Sequence, residues 1–299
     1  MKLAIPRRLT SARLGGRAKV AALALAGVVV AGSVVVGALY FLSIWPFSSD
    51  AISIDRGSIA DAGSNSVTYQ TDDGVRIAAS WYLPKDTLNP PVVILLHEEN
   101  GTRAQWDPLV PVLLSAGYAV LAPDIRGFGE STTAVRDGNE ETVQFTNRPD
   151  ALLDVSAALK WLKSQSGVDS GRVGVIGARL GGDLAYVSTG LFPEVKAAVA
   201  ITTTRYSDQN TDPLLASLKD YAAHDVCFIA GGRPQWEDVV TLGIRTVAPG
   251  GRRILDHPDL DGVALLAVDE PIRNILGWFD ARLRRDGHEQ TTWCSANAS

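Results

Sequence analysis

The chain has 299 residues, of which 33 are acidic and 28 are basic, so its formal net charge is −5. The six charged residues before Val20 are all basic, and the remainder is therefore more acidic than the whole chain. This acidic balance argues against nucleic acid, or an anionic membrane surface, as the partner of that remainder.

The N-terminal segment predicts a membrane anchor. Residues 1–19 carry basic residues and no acid, and residues 20–45 carry no charge. At 1.5 Å per residue the uncharged run would form a helix of about 39 Å, which exceeds the roughly 30 Å hydrocarbon core. The basic flank predicts a cytoplasmic N-terminus and a C-terminal domain outside the cytoplasm. Residues 46–66 then form a short linker.

A cleaved signal peptide is the alternative interpretation of this segment. Val36, Gly37 and Ala38 offer small residues at which a peptidase could cut. The apolar run continues past that point to Trp45, and this continuation favours an uncleaved anchor.

Residues 67–285 have the size and pattern of one α/β domain, and residues 286–299 form a polar tail. Asp73-Gly74 between two strand-like runs predicts a β-hairpin. Buried strands that alternate with helices then predict a mostly parallel sheet covered on both faces. The predicted strands are 67–71, 75–82, 92–96, 119–122, 173–176, 195–201 and 226–230. The predicted helices are 108–116, 151–163, 180–191, 236–242 and 272–283.

The two cysteines lie in different surroundings. Cys227 falls in an apolar strand and Cys294 in the polar tail. A buried thiol and an exposed thiol are the default interpretation, and a disulfide between them stays open because the predicted location is oxidising. No CxxC or His/Cys cluster indicates a metal site, and no cofactor is expected.

The most informative segment is Val173 to Gly182, which predicts a buried strand, a sharp turn and a helix start. Gly177 and Gly181 allow strand and helix to approach closely, which is the frame of a nucleophile elbow. The central residue of such an elbow stands in a strained conformation at the top of the sheet, and here it is Arg179. Because arginine is not deprotonated in proteins, it cannot attack a carbonyl.

Together with other motifs, this segment resembles the α/β-hydrolase superfamily, specifically the dienelactone-hydrolase and short-acyl-esterase branch. The resemblance covers Val67 to about Arg285 and implies an α/β-hydrolase fold with an N-terminal antiparallel hairpin. A dinucleotide site is excluded because the turn lacks Gly-x-Gly spacing. The motifs that carry the resemblance are the Asp73-Gly74 hairpin, His97-Glu98-Glu99-Asn100-Gly101, the segment from Gly117 to Ser131, the elbow at 177–181, and Pro193 to Ala200.

The resemblance implies a Ser at the elbow, an acid after the strand at 226–230, and a His before the last helix. In this register the three positions are occupied by Arg179, Pro234 and Asp261. His257 is the alternative base, four residues before Asp261. The catalytic triad is therefore expected to be degenerate.

The same register places the oxyanion region at His97, Glu98, Gly101 and Leu180. In relatives a His-Gly pair frees backbone N–H groups to face the developing charge. Glu98 replaces that glycine, and its carboxylate would oppose an anionic intermediate unless it is turned away or neutralised.

A second family motif contains Asp124, Arg126 and Ser131. The resemblance implies that these residues brace a loop and take no part in catalysis. Thr202, Thr203 and Thr204 follow a core strand, but no base is positioned by sequence to activate any of them.

Two classes of function follow. The main expectation is a membrane-anchored pseudoenzyme whose former active site binds a ligand or partner, or acts as a structural lock. The alternative is a hydrolase with non-standard residues, for example His257 acting with Glu98 or Glu99 on water. The first is favoured because nothing in the second stabilises an intermediate beside Glu98. A small anionic ligand or an envelope protein is the partner that such a site fits.

Arg179 is the candidate anion-binding residue. Since the family register brings positions 179 and 261 together, we expect Arg179 and Asp261 to form an ion pair within about 4 Å. Glu98 is the other carboxylate that can neutralise the guanidinium, which lies near a helix N-terminus. The pair is expected to act as a structural lock, or else to open when a carboxylate or phosphate ligand displaces Asp261.

Protease treatment of spheroplasts tests the predicted topology. External protease should remove the C-terminal domain and spare the anchor, because the basic flank holds the N-terminus in the cytoplasm. Immunoblots against tags at both ends would report the two fragments separately. Full protection of the domain would contradict a single-pass topology with the domain outside.

Overall fold

The computed structural model describes residues 54–59, 63–202, 223–231, 252–257, 260 and 262–284, and of 252–257 only the backbone. Within these residues no helix is long and apolar enough to cross a membrane. The predicted anchor at 20–45, the predicted helix at 236–242 and Cys294 lie outside them. Cys227 is buried in a core strand.

The described strands form one twisted, mostly parallel sheet in the order β10-β9-β8-β7-β3-β4-β2-β5-β6, with β1 also paired to β2. Strands β3, β4 and β7 to β10 are parallel, whereas β1, β2, β5 and β6 pair in antiparallel fashion. The strands are β1 Asn65–Gln70, β2 Val75–Tyr82, β3 Pro91–Leu96, β4 Ala119–Pro123, β5 Thr133–Arg136, β6 Asn139–Thr142, β7 Asp169–Ala178, β8 Val195–Ile201, β9 Val226–Gly231 and β10 Arg252–His257.

Helices cover both faces of this sheet. They are α1 Val110–Ser115, α2 Arg148–Lys163, α3 Leu180–Leu191 and α4 Asp269–Leu283, with short 3-10 helices at Arg103–Trp106 and Gly262–Ala267. Apolar residues of α2 and α3 pack with Val173 and Val175 in the main core. Gly174, which points to the opposite face, lies against Phe279 and Leu283 of α4. The predicted α/β architecture with two covered faces is confirmed.

Local sequence signals explain where α2 begins and ends. The side chain of Asn147 accepts a hydrogen bond from the backbone N–H of Asp150, and a proline lies in the first turn. Asp150 near the start and Lys160 and Lys163 near the end also suit the helix dipole. The helix therefore begins at Arg148, three residues before the predicted start.

The segment 132–147, for which the sequence predicts no helix or strand, contains the β5–β6 hairpin. Asp137 and Gly138 form its turn, with φ of 50° and 81°. Positive φ at both central residues is the type I′ geometry that Asp-Gly favours. All four β6 side chains are charged or polar and exposed, which protects this sheet edge against pairing with other chains.

A buried charge cluster joins the hairpin turn, the loop after β4, and α2. The guanidinium of Arg126 donates to Asp154 at 2.7 Å and to Asp73 at 2.8 Å. Asp154 also accepts the backbone N–H of Arg126 at 2.9 Å. Burial raises the pKa of Asp154 to about 6, and the neighbouring Arg126 opposes that rise. Arg126 thus ties three separate segments together.

Replacing Asp154 by Asn should lower the free energy of unfolding by about 3 kcal/mol or more, because Arg126 would lose its most buried counter-charge. Asp72→Asn is the matched control, since Asp72 pairs with Lys160 on the exposed surface. Its loss should stay below about 1 kcal/mol. Urea denaturation of both variants measures the difference, and equal losses would contradict a bracing role for Asp154.

Candidate functional site

The turn from β7 into α3 has the geometry of a nucleophile elbow. A methyl group on Gly177 would lie 1.9 Å from the carbonyl oxygen of Gly181, and one on Gly181 would lie 2.0 Å from that of Leu96. Neither position tolerates a side chain. Arg179 between them has φ of 48° and ψ of −111°, a conformation that costs a non-glycine residue roughly 1–3 kcal/mol.

Arg179 forms an ion pair with Glu98, which follows β3. Its Nε atom lies 3.1 Å from a carboxylate oxygen of Glu98. The backbone of Gly262 adjoins this pair, because a methyl group there would lie 3.1 Å from Glu98 Oε2 and 3.6 Å from Arg179 Nε. Asp261, the partner expected from sequence, lies outside the described residues, so that ion pair stays a prediction.

A second carboxylate, that of Glu99, contacts the start of α3. The backbone N–H of Leu180 donates to Glu99 Oε2 at 3.2 Å. The other carboxylate oxygen of Glu99 lies 3.9 Å from Arg148 at the start of α2. Arg148 in turn donates to the fully buried carboxylate of Asp183 at 2.9 Å. Charges of alternating sign therefore surround the first turn of α3.

His97 is buried and its two ring nitrogens have fixed roles. The backbone N–H of Ile125 donates to Nε2 at 2.8 Å, so Nε2 is an acceptor. The proton consequently resides on Nδ1, which lies 2.8 Å from the carbonyl oxygen of Glu98. Burial lowers the pKa of His97, although nearby acceptors and acids oppose that shift. Its ring joins the ends of β3 and β4 as a neutral structural group.

The remaining oxyanion position, Gly101, lies in a tight turn after β3. Its backbone N–H donates to the carbonyl oxygen of Glu98 at 3.0 Å, so this N–H is already used inside the turn. A methyl group on Gly101 would lie 2.7 Å from Oε1 of Gln105. Thus Glu98 and Gly101 form a compact loop that holds the Glu98 carboxylate towards Arg179.

The other expected positions are only partly described. Pro234 lies outside the described residues, and so do Thr203 and Thr204. His257 ends β10, whose backbone pairs with β9, and its side chain is not described. Thr202 is buried, and its hydroxyl accepts the backbone N–H of Gly262 at 3.2 Å. This bond attaches the loop after position 261 to the end of β8.

The family motif after β4 makes structural contacts, as the sequence predicts. Asp124 accepts the backbone N–H groups of Arg103 and Glu130 and also pairs with the Arg103 side chain. Ser131 accepts the backbone N–H of Ala78 at 2.9 Å. Arg126 lies in the buried cluster described above. These residues brace the loop, and none of these contacts involves Arg179.

Sequence reasoning missed the contact between Glu99 and Leu180, and with it Arg148 and Asp183. The available signal for this contact was the pair of successive acids, Glu98 and Glu99, after a predicted strand. Successive side chains point in different directions, so the sequence does not show which of the two faces the elbow. Which of them faces the elbow depends on the turn at Gly101. Among the described residues, no group of His, Cys, Asp and Glu side chains could hold a metal ion.

The sequence profile of the dienelactone hydrolase family matches residues 77–233, just over half of the chain, which include most of β2, all of β3 to β9 and the elbow. The chain belongs to the dienelactone hydrolase family. This membership confirms the resemblance predicted from the motifs. It also agrees with the α/β-hydrolase fold described above.

Individual relatives cover less of the chain. An uncharacterized protein of Mycobacterium tuberculosis is 31% identical over 151 residues, which is 49% of this chain and 46% of that protein. An uncharacterized 31.7 kDa protein of Escherichia coli is 28% identical over 125 residues, 42% of this chain and 41% of that protein. The chain thus matches about half the length of these relatives.

Solved structures show the same fold. The esterase Pf2001 of Pyrococcus furiosus superposes with a TM-score of 0.60 at 20% identity, over 78% of this chain and 98% of that one. A dienelactone hydrolase from Anabaena variabilis gives a TM-score of 0.53 at 19% identity, over 74% and 99%. At these identities the similarity establishes the fold alone.

The buried, neutral His97 predicts a loss of stability in acid. Since folding lowers its pKa below the usual value of about 6.5, the unfolded chain binds a proton more readily than the folded chain. The stabilisation is fully present above about pH 6.5 and is lost as the pH falls towards the lowered folded value. His97→Asn should flatten this slope, as measured by urea midpoints between about pH 8 and pH 5.

His224→Asn is the control for this experiment, because it removes an imidazole that is exposed instead of buried. An NMR titration of the His97 ring in the unchanged chain provides a second measurement that does not depend on the variant folding. A ring that becomes protonated in the folded protein near pH 6.5 would contradict the assignment.

Proposed function

We propose that this member of the dienelactone hydrolase family is a pseudoenzyme with respect to serine hydrolysis. The observation that carries the proposal is Arg179 at the centre of the elbow, paired with Glu98. A guanidinium is permanently charged and protonated, so it offers neither a nucleophile nor a proton acceptor. An activated hydroxyl would require a base within hydrogen-bond reach, and the elbow carries no hydroxyl to activate.

The Arg179–Glu98 ion pair favours a structural lock at the former active site over a ligand-binding site. Glu98 neutralises the guanidinium from within the chain, so an incoming carboxylate or phosphate would have to displace it. Arg179 is only about one third exposed, and this partial burial strengthens the internal contact over competition from solvent. If the Arg179–Glu98 pair opened, the guanidinium could bind a small anionic ligand or an envelope protein.

We also propose that the domain is held at the cell membrane by residues 20–45, with the site outside the cytoplasm. The support for this part is the uncharged N-terminal run and its basic flank. This location does not depend on whether the site is catalytic.

A hydrolase with non-standard residues is the second candidate, and family membership favours it. Structural relatives include proteins named as an esterase and as a dienelactone hydrolase. The backbone of His257 ends β10, which is four positions from β3 in the strand order, roughly 19 Å at about 4.8 Å per strand. The chain returns to Glu98 within five residues, because Gly262 lies against this carboxylate.

A fluorophosphonate probe and a panel of esters and lactones test the two candidates on the purified protein. The chain should not label, and Arg179→Ser should remain almost inert, because a lone hydroxyl gains little without base and acid. Stoichiometric labelling of any Ser or Thr would overturn the pseudoenzyme proposal. Ester turnover that is lost in both His257→Ala and Glu98→Gln, but not in the exposed control Glu141→Gln, would support the second candidate.

A further inference from the structure

The first turn of α3 has backbone N–H groups that its own N-cap cannot satisfy. Arg179 is the N-cap residue and makes no side-chain capping bond. The first N–H groups of a helix lack intrahelical partners and carry partial positive charge. In an elbow, the N–H of the residue after the centre faces the developing oxyanion. In this chain that residue is Leu180.

The Leu180 N–H is already bonded to a carboxylate supplied by another element. Glu99 follows β3, is separated from Leu180 by 81 positions, and accepts its N–H at 3.2 Å. The second oxygen of Glu99 faces Arg148, whose guanidinium is held by the buried Asp183. Each carboxylate oxygen of Glu99 therefore faces a positive or partially positive group, and these two contacts orient the carboxylate towards the start of α3.

We propose that Glu99 occupies the former oxyanion position: its carboxylate accepts the Leu180 N–H that would face the developing charge in a working elbow. A carboxylate and a tetrahedral intermediate both present a negative oxygen to the same N–H, and two negative oxygens at one donor repel each other. While Glu99 stays in place, no oxyanion forms against Leu180. The inference rests on the proposed function for its identification of Leu180 as the former oxyanion donor.

This role differs from that of an ordinary helix cap. A cap requires only an acceptor, and a neutral side chain supplies one. The Glu99 position favours a negative charge as well, because its second carboxylate oxygen faces Arg148. Removing Glu99 should therefore leave a vacancy that a small carboxylate fills better than a neutral molecule of the same shape.

Chemical rescue of Glu99→Ala tests the contact on the full chain in detergent. The variant should melt about 2–4 °C lower, which corresponds to the loss of a capping contact in a domain of this size. Sodium acetate should restore the melting temperature, whereas acetamide at equal concentration and sodium chloride at equal ionic strength should not. In ¹⁵N spectra the Leu180 amide should move in the variant and return with acetate.

Glu141→Ala is the control, because it removes an exposed carboxylate of the β5–β6 hairpin, which pairs with Arg136, and leaves the Leu180 bond intact. Its Leu180 amide should stay near its original position and should not respond to acetate. If Glu99→Ala does not fold, Glu99→Gln keeps an acceptor without charge, and its Leu180 amide should still shift.

Equal rescue of the melting temperature by acetate, acetamide and chloride would overturn the inference. So would a Leu180 amide chemical shift that is unchanged in both Glu99→Ala and Glu99→Gln. These outcomes are distinguishable from failure of the proposed function, which is decided by labelling of a Ser or Thr. If the chain is labelled by the fluorophosphonate probe and Glu99→Ala shows acetate-specific rescue, the proposed Glu99 contact stands and the pseudoenzyme proposal is wrong.

Discussion

The backbone contact between the end of β7, the first turn of α3 and the end of β3 constrains everything around the site. Gly177, Gly181 and Leu96 approach so closely that a single methyl group at either glycine would overlap a carbonyl oxygen. This approach forces the residue between the glycines into positive φ, whatever its side chain. In a working elbow this strained position holds the nucleophile. Here Arg179 occupies it, and a guanidinium cannot act as a nucleophile.

An arginine at the N-terminus of a helix is electrostatically misplaced, because the N-terminal end of the helix dipole is positive. The surrounding charges compensate for it. Glu98 lies against the guanidinium, Glu99 against the first helical N–H, and Asp183 is buried in the first turn beside Arg148. The carboxylates that would oppose an oxyanion are thus the same groups that stabilise Arg179 and the start of α3. Negative charge near this turn therefore stabilises the fold, whereas an oxyanion intermediate would require that charge to be absent.

The fold could be predicted from sequence more fully than the site, for identifiable reasons. Asp73-Gly74 between two strand-like runs predicted β1 and β2, and continuous apolar runs predicted the core strands, each to within a few residues. The same Asp-Gly signal at Asp137-Gly138 was overlooked because the flanking residues are polar, and the hairpin β5–β6 lies at an exposed edge. The Glu99 contact could not be derived, since it joins residues 81 positions apart and depends on how the turn at Gly101 aims two successive acids.

The bracing contacts explain how this fold persists around a position that carries no nucleophile. Asp124 and Arg126 bind groups of the 3-10 helix after β3, the loop after β4, the β1–β2 hairpin turn and α2. None of these bonds reaches Arg179, so the stability they supply does not depend on the identity of the elbow residue. Within the elbow, by contrast, the arginine and its acids depend on one another. Changing Arg179 alone would leave Glu98 without its compensating charge, whereas Glu99 would keep its contacts with Arg148 and the Leu180 N–H.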